Sequence, residues 1–186
     1  MKTLNTIKLL AILFISSLTL SSCSDDHDDD HDNDHDEELI TTITYTLTNG
    51  NDVVTLNFQD LDGEGGSPGT YTVSGPLTAN TTYLGEIKLL NETESPADDI
   101  TTEVRTEGDE HEFFYTTTVS GLSITKTDID ANGNPLGIET NLTTGAAGNG
   151  TLTIVLKHQP TKPNNGNATS AGGSTDVEIS FNIVIQ

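Results

Sequence analysis

Apolar and polar residues alternate with a period of two through most of the chain after residue 39. Ile43, Tyr45 and Leu47 interleave with Thr44, Thr46 and Thr48. Asn49-Gly50-Asn51-Asp52 then reads as a hairpin turn into Val54, Leu56 and Phe58. Tyr71 and Val73, Ile87 and Leu89, Leu122 and Ile124, and Leu152, Ile154 and Leu156 repeat the pattern. The last run is the cleanest, with Val177, Ile179, Phe181, Ile183 and Ile185 on one side and Glu178, Ser180 and Asn182 on the other. In a strand, residues i and i+2 share a face, so each run predicts a strand with one face in a core. Eight to ten short strands with Gly, Asn and Pro turns between them predict a mainly β chain folded as an antiparallel β-sandwich. Residues 39–186 have the length of one domain.

One segment departs from the alternation. In Ser95-Pro96-Ala97-Asp98-Asp99, a capping hydroxyl precedes a proline suited to a first helical turn, and acids follow at the positive end of the helix dipole. Ala97, Ile100 and Val104 fall on one face, which predicts a short helix over 96–107 closed by Gly108.

The N-terminal residues follow a different logic. Lys2 and Lys8 precede an apolar stretch over 9–20, and no acid occurs before Cys23. That stretch is short of the ~20 apolar residues a membrane span needs, and it has the organisation of a secretory signal over 1–22. Leu20-Ser21-Ser22-Cys23, which contains the only cysteine, resembles the bacterial lipobox. The resemblance implies cleavage before Cys23 and lipidation of its thiol, with attachment to a membrane through that lipid. Ser24-Asp25-Asp26 resembles the surface-export signal of Bacteroidota lipoproteins, which implies the outer membrane and its exterior face. With its single cysteine lipidated, the mature chain has no disulfide.

From residue 25 to 38 the chain is ten carboxylates, His27, His31, His35 and Asn33. Like charges and the lack of apolar residues predict a disordered, solvated tether, with a reach of ~50 Å over residues 24–38. Two readings stand side by side. The segment is a spacer that lifts a domain from the membrane, or its imidazoles and carboxylates capture Zn²⁺ or a similar ion.

Charge narrows the possible partners. Beyond the signal the chain carries 29 acids against five bases (Lys88, Arg105, Lys126, Lys157 and Lys162), a formal charge of −24. Such a field repels phosphate backbones and excludes nucleic acid as a partner, while it attracts cations and basic ligands.

Two loops have carboxylates spaced for a hard cation. Asp128, Asp130 and Asn132 occupy positions 1, 3 and 5 of a twelve-residue pattern with Gly133 at 6 and Glu139 at 12, the arrangement of an EF-hand Ca²⁺ loop. Pro135 and the strand-like flanks point instead to a hairpin turn, which Asp, Asn and Gly build without an ion. Asp60, Asp62 and Glu64 alternate in a glycine-rich loop, again either a cation clamp or a solvated turn. The sequence fixes no metal or other cofactor, and Ca²⁺ and Zn²⁺ are the candidates.

Catalytic chemistry finds little footing. Ser67 lacks the strand-to-helix context of a nucleophile elbow. A glycosidase needs two carboxylates across a sugar cleft that is usually aromatic-lined, and the chain has no Trp. His111 and His158 flank apolar strand ends and read as surface or edge histidines, not ligands. The chain reads as a non-enzyme.

Over nearly its whole length the chain resembles a group of small Bacteroidota surface lipoproteins in which an Asp/His-rich tether leads into residues like 37–42. The matching features are Ser95-Pro96, the patch over 110–115, Asn132-Gly133-Asn134-Pro135 and the segment 171–176. Members carry the label of the type 1 periplasmic binding fold and often accompany TonB-dependent receptors. The resemblance implies an outer-membrane receptor as partner. The label implies strands and helices alternating around parallel sheets, whereas the periodicity of this chain predicts antiparallel ones. The combined expectation is a cell-surface lipoprotein with three parts: a signal over 1–22, lipidated Cys23 with its tether over 23–38, and one domain over 39–186. That domain is a non-catalytic binding module for divalent metal or another ligand, accessory to such a receptor. The alternative is a structural or adhesive surface protein with no small ligand.

Overall fold

The computed structural model describes residues 39–63 and 66–186. The signal, Cys23, the tether histidines and Glu64 lie outside the described residues. Among the described residues nine strands and two short helices follow in the order β1 (Thr42–Asn49), β2 (Asp52–Gln59), β3 (Thr70–Val73), β4 (Thr82–Leu90), α1 (Ile100–Thr106), β5 (His111–Thr117), β6 (Ser123–Lys126), β7 (Glu139–Thr143), β8 (Gly148–His158), α2 (Ala168–Ala171) and β9 (Ser174–Ile185). They form a six-stranded sheet, β3-β2-β1-β4-β7-β6, and a three-stranded sheet, β5-β8-β9. Every pairing between these strands is antiparallel, so the parallel architecture implied by the periplasmic-binding label is not that of the described residues.

The alternation does what its period dictates. Ile43, Tyr45 and Leu47 of β1, Leu56 of β2 and Ile87 and Leu89 of β4 face inward, against Phe113 of β5, Leu152, Ile154 and Leu156 of β8, and Phe181 and Ile183 of β9. The interleaved threonines form the outer face. At the β1–β2 hairpin Asn49 pairs with Asp52, and Gly50 takes the positive φ of 58° that a two-residue turn demands.

Two features differ from the periodicity reading. The helix begins at Ile100, not at residue 96, with Asp99 as an N-cap that makes no side-chain capping bond. Asn91 and Asp98 exchange backbone hydrogen bonds of 3.1 and 2.9 Å, which hold residue 98 extended and close the Ser95-Pro96 segment into a loop. Tertiary pairing overrides the cap signal. The second difference is α2, which carries no apolar period and forms because the Asn167 side chain accepts from the Ser170 amide. It lays Ala171 on Phe114 and Val155, on the outer face of the smaller sheet.

Thr101, a weak helix former, has a specific task. β7 pairs with β4 only as far as Glu86. Farther along β4, the Leu89 amide donates to Thr101 Oγ1 at 2.8 Å, and that hydroxyl donates to the Leu89 carbonyl at 3.1 Å. The helix thereby covers a strand edge that would otherwise be buried with its ladder groups unmet.

Gly85 marks the tightest place under the larger sheet. The Tyr45 hydroxyl and Thr140 Oγ1 share a buried hydrogen bond of 2.6 Å, and burial pushes the Tyr45 phenol above its ordinary range. A Cβ on Gly85 would lie 2.5 Å from the Tyr45 oxygen and closer still to Thr140. Gly85→Ala is therefore expected to destabilise by about 1–3 kcal/mol through overpacking, which exceeds the ~0.4–1 kcal/mol gained from a stiffer unfolded chain. A urea midpoint equal to or above that of the wild type would contradict this.

Candidate functional site

The twelve-residue loop is closed by its own acids. Both oxygens of Asp128 accept backbone amides, from Gly137 at 2.7 Å and Ile138 at 3.0 Å. Asp130 Oδ1 accepts the amides of Asn132 and Asn134 at 2.9 and 2.8 Å, and its Oδ2 accepts from Lys162 Nζ at 3.1 Å. The Asn132 residue is exposed, and Glu139 pairs with Arg105 at 3.1 Å. The loop thus brings Asp128 and Asp130 to its neck and turns Glu139 away to another partner. Burial alone would raise Asp130, but the Asn134 amide and the Lys162 ammonium outweigh it and hold the carboxyl below the ordinary range. In the other loop Asp60 Oδ1 accepts the Gly63 amide at 3.0 Å and Asp62 Oδ2 the Ser67 amide at 2.9 Å. The Ser67 amide is the largest influence on Asp62 and holds its carboxyl low. Among the described residues no three His, Cys, Asp or Glu side chains form a group suited to a metal ion.

Bases and acids from distant parts of the chain meet beside β5. Glu112 is buried and forms an ion pair with Lys126, while its other oxygen accepts from Asn164 Nδ2 at 2.6 Å. The Lys126 ammonium sits 4.5 Å above the Phe114 ring. Burial lowers the proton affinity of Lys126, and Glu112 opposes that shift. Lys162 reaches from the segment after β8 to the Gly108 carbonyl at 2.6 Å and to Asp130. A shallow groove of about 330 Å³ opens here, bounded by Glu112, Lys126, Pro135 and Asn164.

The remaining bases are also engaged. Lys88 pairs with Asp99, Arg105 with Glu139, and Lys157 donates to the Gly173 carbonyl and to Thr175. All five bases of the domain therefore have internal partners, and the surface field is set by the surplus of acids. Proximity in the fold, not sequence spacing, made these pairs; Lys162 and Asp130 are 32 residues apart.

Sequence reasoning missed the two histidines. His111 and His158 are not surface residues: they are buried register partners whose rings stack with centroids 4.7 Å apart, although β5 itself is an edge strand. Asp176 joins them. The β8–β9 register shifts between Leu156 and Lys157, a bulge that leaves Asp176 between Val177 and Thr175, and its side chain is fully buried 3.9 Å from His111 Nε2. The usable signal was His111 at the head of one apolar run and His158 at the tail of another, positions that coincide only if the two strands pair antiparallel.

A second shallow concavity, of about 340 Å³, lies on the outer face of the larger sheet between Thr46, Thr48, Leu84, Glu86 and Glu139. Thr48 stands between Val53 and Leu84 in register, and Leu84 is 68% exposed. No helix of the described residues is long and apolar enough to cross a membrane. Comparison with protein-family models, curated proteins and solved structures found no match.

Proposed function

We propose that this chain is a cell-surface lipoprotein, held in the outer membrane by lipid on Cys23, whose β-sandwich is a non-catalytic binding module. The observation that carries the reading is the lipobox-like Leu20-Ser21-Ser22-Cys23 followed at once by ten carboxylates and three imidazoles over 25–38. The domain adds to it. With every base internally engaged, its own 19 acids against five bases leave a surface that favours cations and basic ligands. The ligand class is a divalent cation, taken by imidazole and carboxylate of the tether and passed to an outer-membrane receptor of the TonB-dependent kind. A structural or adhesive role is the second reading, favoured by the threonine-rich outer sheet face with Val53 and Leu84 exposed on either side of Thr48.

Calorimetric titration of Zn²⁺ and Ca²⁺ into residues 24–186 and 39–186 separates them. Saturable Zn²⁺ binding in the longer polypeptide alone is the expected result. Stoichiometric Ca²⁺ in both would move the site to the Asp128 or Asp60 loop. Equal and negligible heats in both would sink the metal reading and favour adhesion.

A further inference from the structure

Lys126, Glu112 and Asn164 come from three separate segments and meet in the groove beside β5. Glu112, on β5, has the Lys126 ammonium of β6 on Oε1. Its Oε2 accepts Asn164 Nδ2, from the segment after β8, at 2.6 Å. One carboxylate thus bridges an amine and a carboxamide that are remote in sequence.

The carboxamide is oriented at both ends. Asn164 Nδ2 also donates to the Thr161 carbonyl at 2.9 Å, and its Oδ1 accepts the Gly166 amide at 2.8 Å. A carbonyl only accepts and an amide N–H only donates, so these two contacts fix which atom is which. The Gly166 N–H draws electrons from Cγ and is placed to hold the negative charge that an addition puts on Oδ1. The amine is prepared in the complementary way. The Glu112 and Lys126 side chains are 4% and 16% exposed, Phe114 lies under the ammonium, and Ile124, Pro135 and Pro163 line the groove. Burial is the largest influence on Lys126 and favours its neutral, nucleophilic form.

We propose that Lys126 and Asn164 join through an intramolecular isopeptide bond, with Glu112 as the proton carrier. Glu112 takes a proton from the ammonium, and the freed Nζ lone pair attacks Asn164 Cγ. The carbonyl electron pair moves to Oδ1, beside the Gly166 amide. Glu112 then protonates Nδ2, the Cγ–Nδ2 bond breaks, and the last surplus proton of Nζ leaves with the ammonia as ammonium. The products are one secondary amide and one ammonium ion, and nothing is oxidised or reduced. Holding amine and amide together supplies an effective concentration of ~10⁵–10⁸ M, which a bimolecular aminolysis in water lacks. The bond would tie edge strand β6 of the larger sheet to the segment after β8. In a chain with a single cysteine, such a cross-link constrains the unfolded state without a disulfide.

Mass spectrometry of the denatured full mature chain tests this. The wild type is expected to be one ammonia lighter than the unlinked chain. Trypsin should leave the peptide bond after Lys126 uncut, and the peptide that begins at residue 106 should stay joined to the one containing Asn164. Lys126→Arg keeps the charge without the amine, Asn164→Ala removes the electrophile, and Glu112→Gln removes the proton carrier. Each is expected at full mass with its peptides separate. A wild type at full mass overturns the proposal. So does a missing ammonia that maps to an Asn-Gly step such as Asn165-Gly166, where closure of the asparagine on its own backbone expels the same molecule. A Glu112→Gln chain that still cross-links overturns the role of Glu112. If the variants do not fold, the wild-type peptide map alone decides.

Discussion

Asp130→Ala is expected to remove about 3–5 kcal/mol from the domain, the largest loss from any single exchange at the surface loops. The side chains of Asp130 and Lys162 are 0% and 5% exposed, so truncating one abandons a buried charge on the other. The same change releases the amides of Asn132 and Asn134, which Asp130 Oδ1 holds at the neck of the loop. In a domain of this size that corresponds to a fall of roughly 6–20 °C in thermal midpoint. Because the carboxyl is held low in the folded state, its stabilisation is present above the ordinary carboxylate range and disappears as pH falls through the lower folded value. Asp130→Ala with Lys162→Met should recover part of the loss, since no unmatched ammonium then remains. A midpoint for Asp130→Ala within 2 °C of wild type, about one standard increment for such a domain, would show the pair to be dispensable.

Cys23→Ser is the other change with a large effect, on location instead of stability. The proposed anchor gains ~0.8 kcal/mol for each buried methylene, and several acyl chains together make attachment effectively permanent. Without the thiol no thioether to the lipid forms, and the surplus of acids disfavours contact with an anionic membrane surface. The variant is expected to leave the membrane fraction almost completely, to lose incorporation of labelled fatty acid, and to retain the wild-type midpoint, because residue 23 precedes the folded domain. The direct check is fractionation of cells with detergent-phase partition. If the Cys23→Ser protein stays with the membrane, the lipid-anchor reading fails and an ordinary signal or another mode of attachment replaces it.

The legibility of the fold differs from element to element for physical reasons. Strand alternation is local, since a half-buried strand must place every second side chain in the core, and β1, β2, β8 and β9 were readable for that reason. The helix start was not, because the Asn91–Asp98 pairing that delays it is an interaction with no periodic signature. For α2 the only sequence cue is one Asn three residues before a Ser.

The candidate sites divide along the same line. In the proposed reading Leu20-Ser21-Ser22-Cys23 and the Asp/His run act as linear segments, so spacing and composition suffice to propose them. The Asp128 to Glu139 spacing looked equally legible, yet whether such acids face an ion or their own amides depends on the backbone between them. In the fold, Asp128 closes on Gly137 and Ile138, Asp130 on Asn132, Asn134 and Lys162, and Glu139 leaves for Arg105.

By itself the sequence determined the strand periods, the antiparallel class and the surplus of acid. Only the tertiary structure decided which acids meet Lys88, Arg105, Lys126 and Lys162, and that His111, His158 and Asp176 are buried together. The reason is one of range: burial patterns follow from neighbours two residues away, whereas a buried charge is tolerable only beside a partner that the fold brings from 14 to 65 residues along the chain.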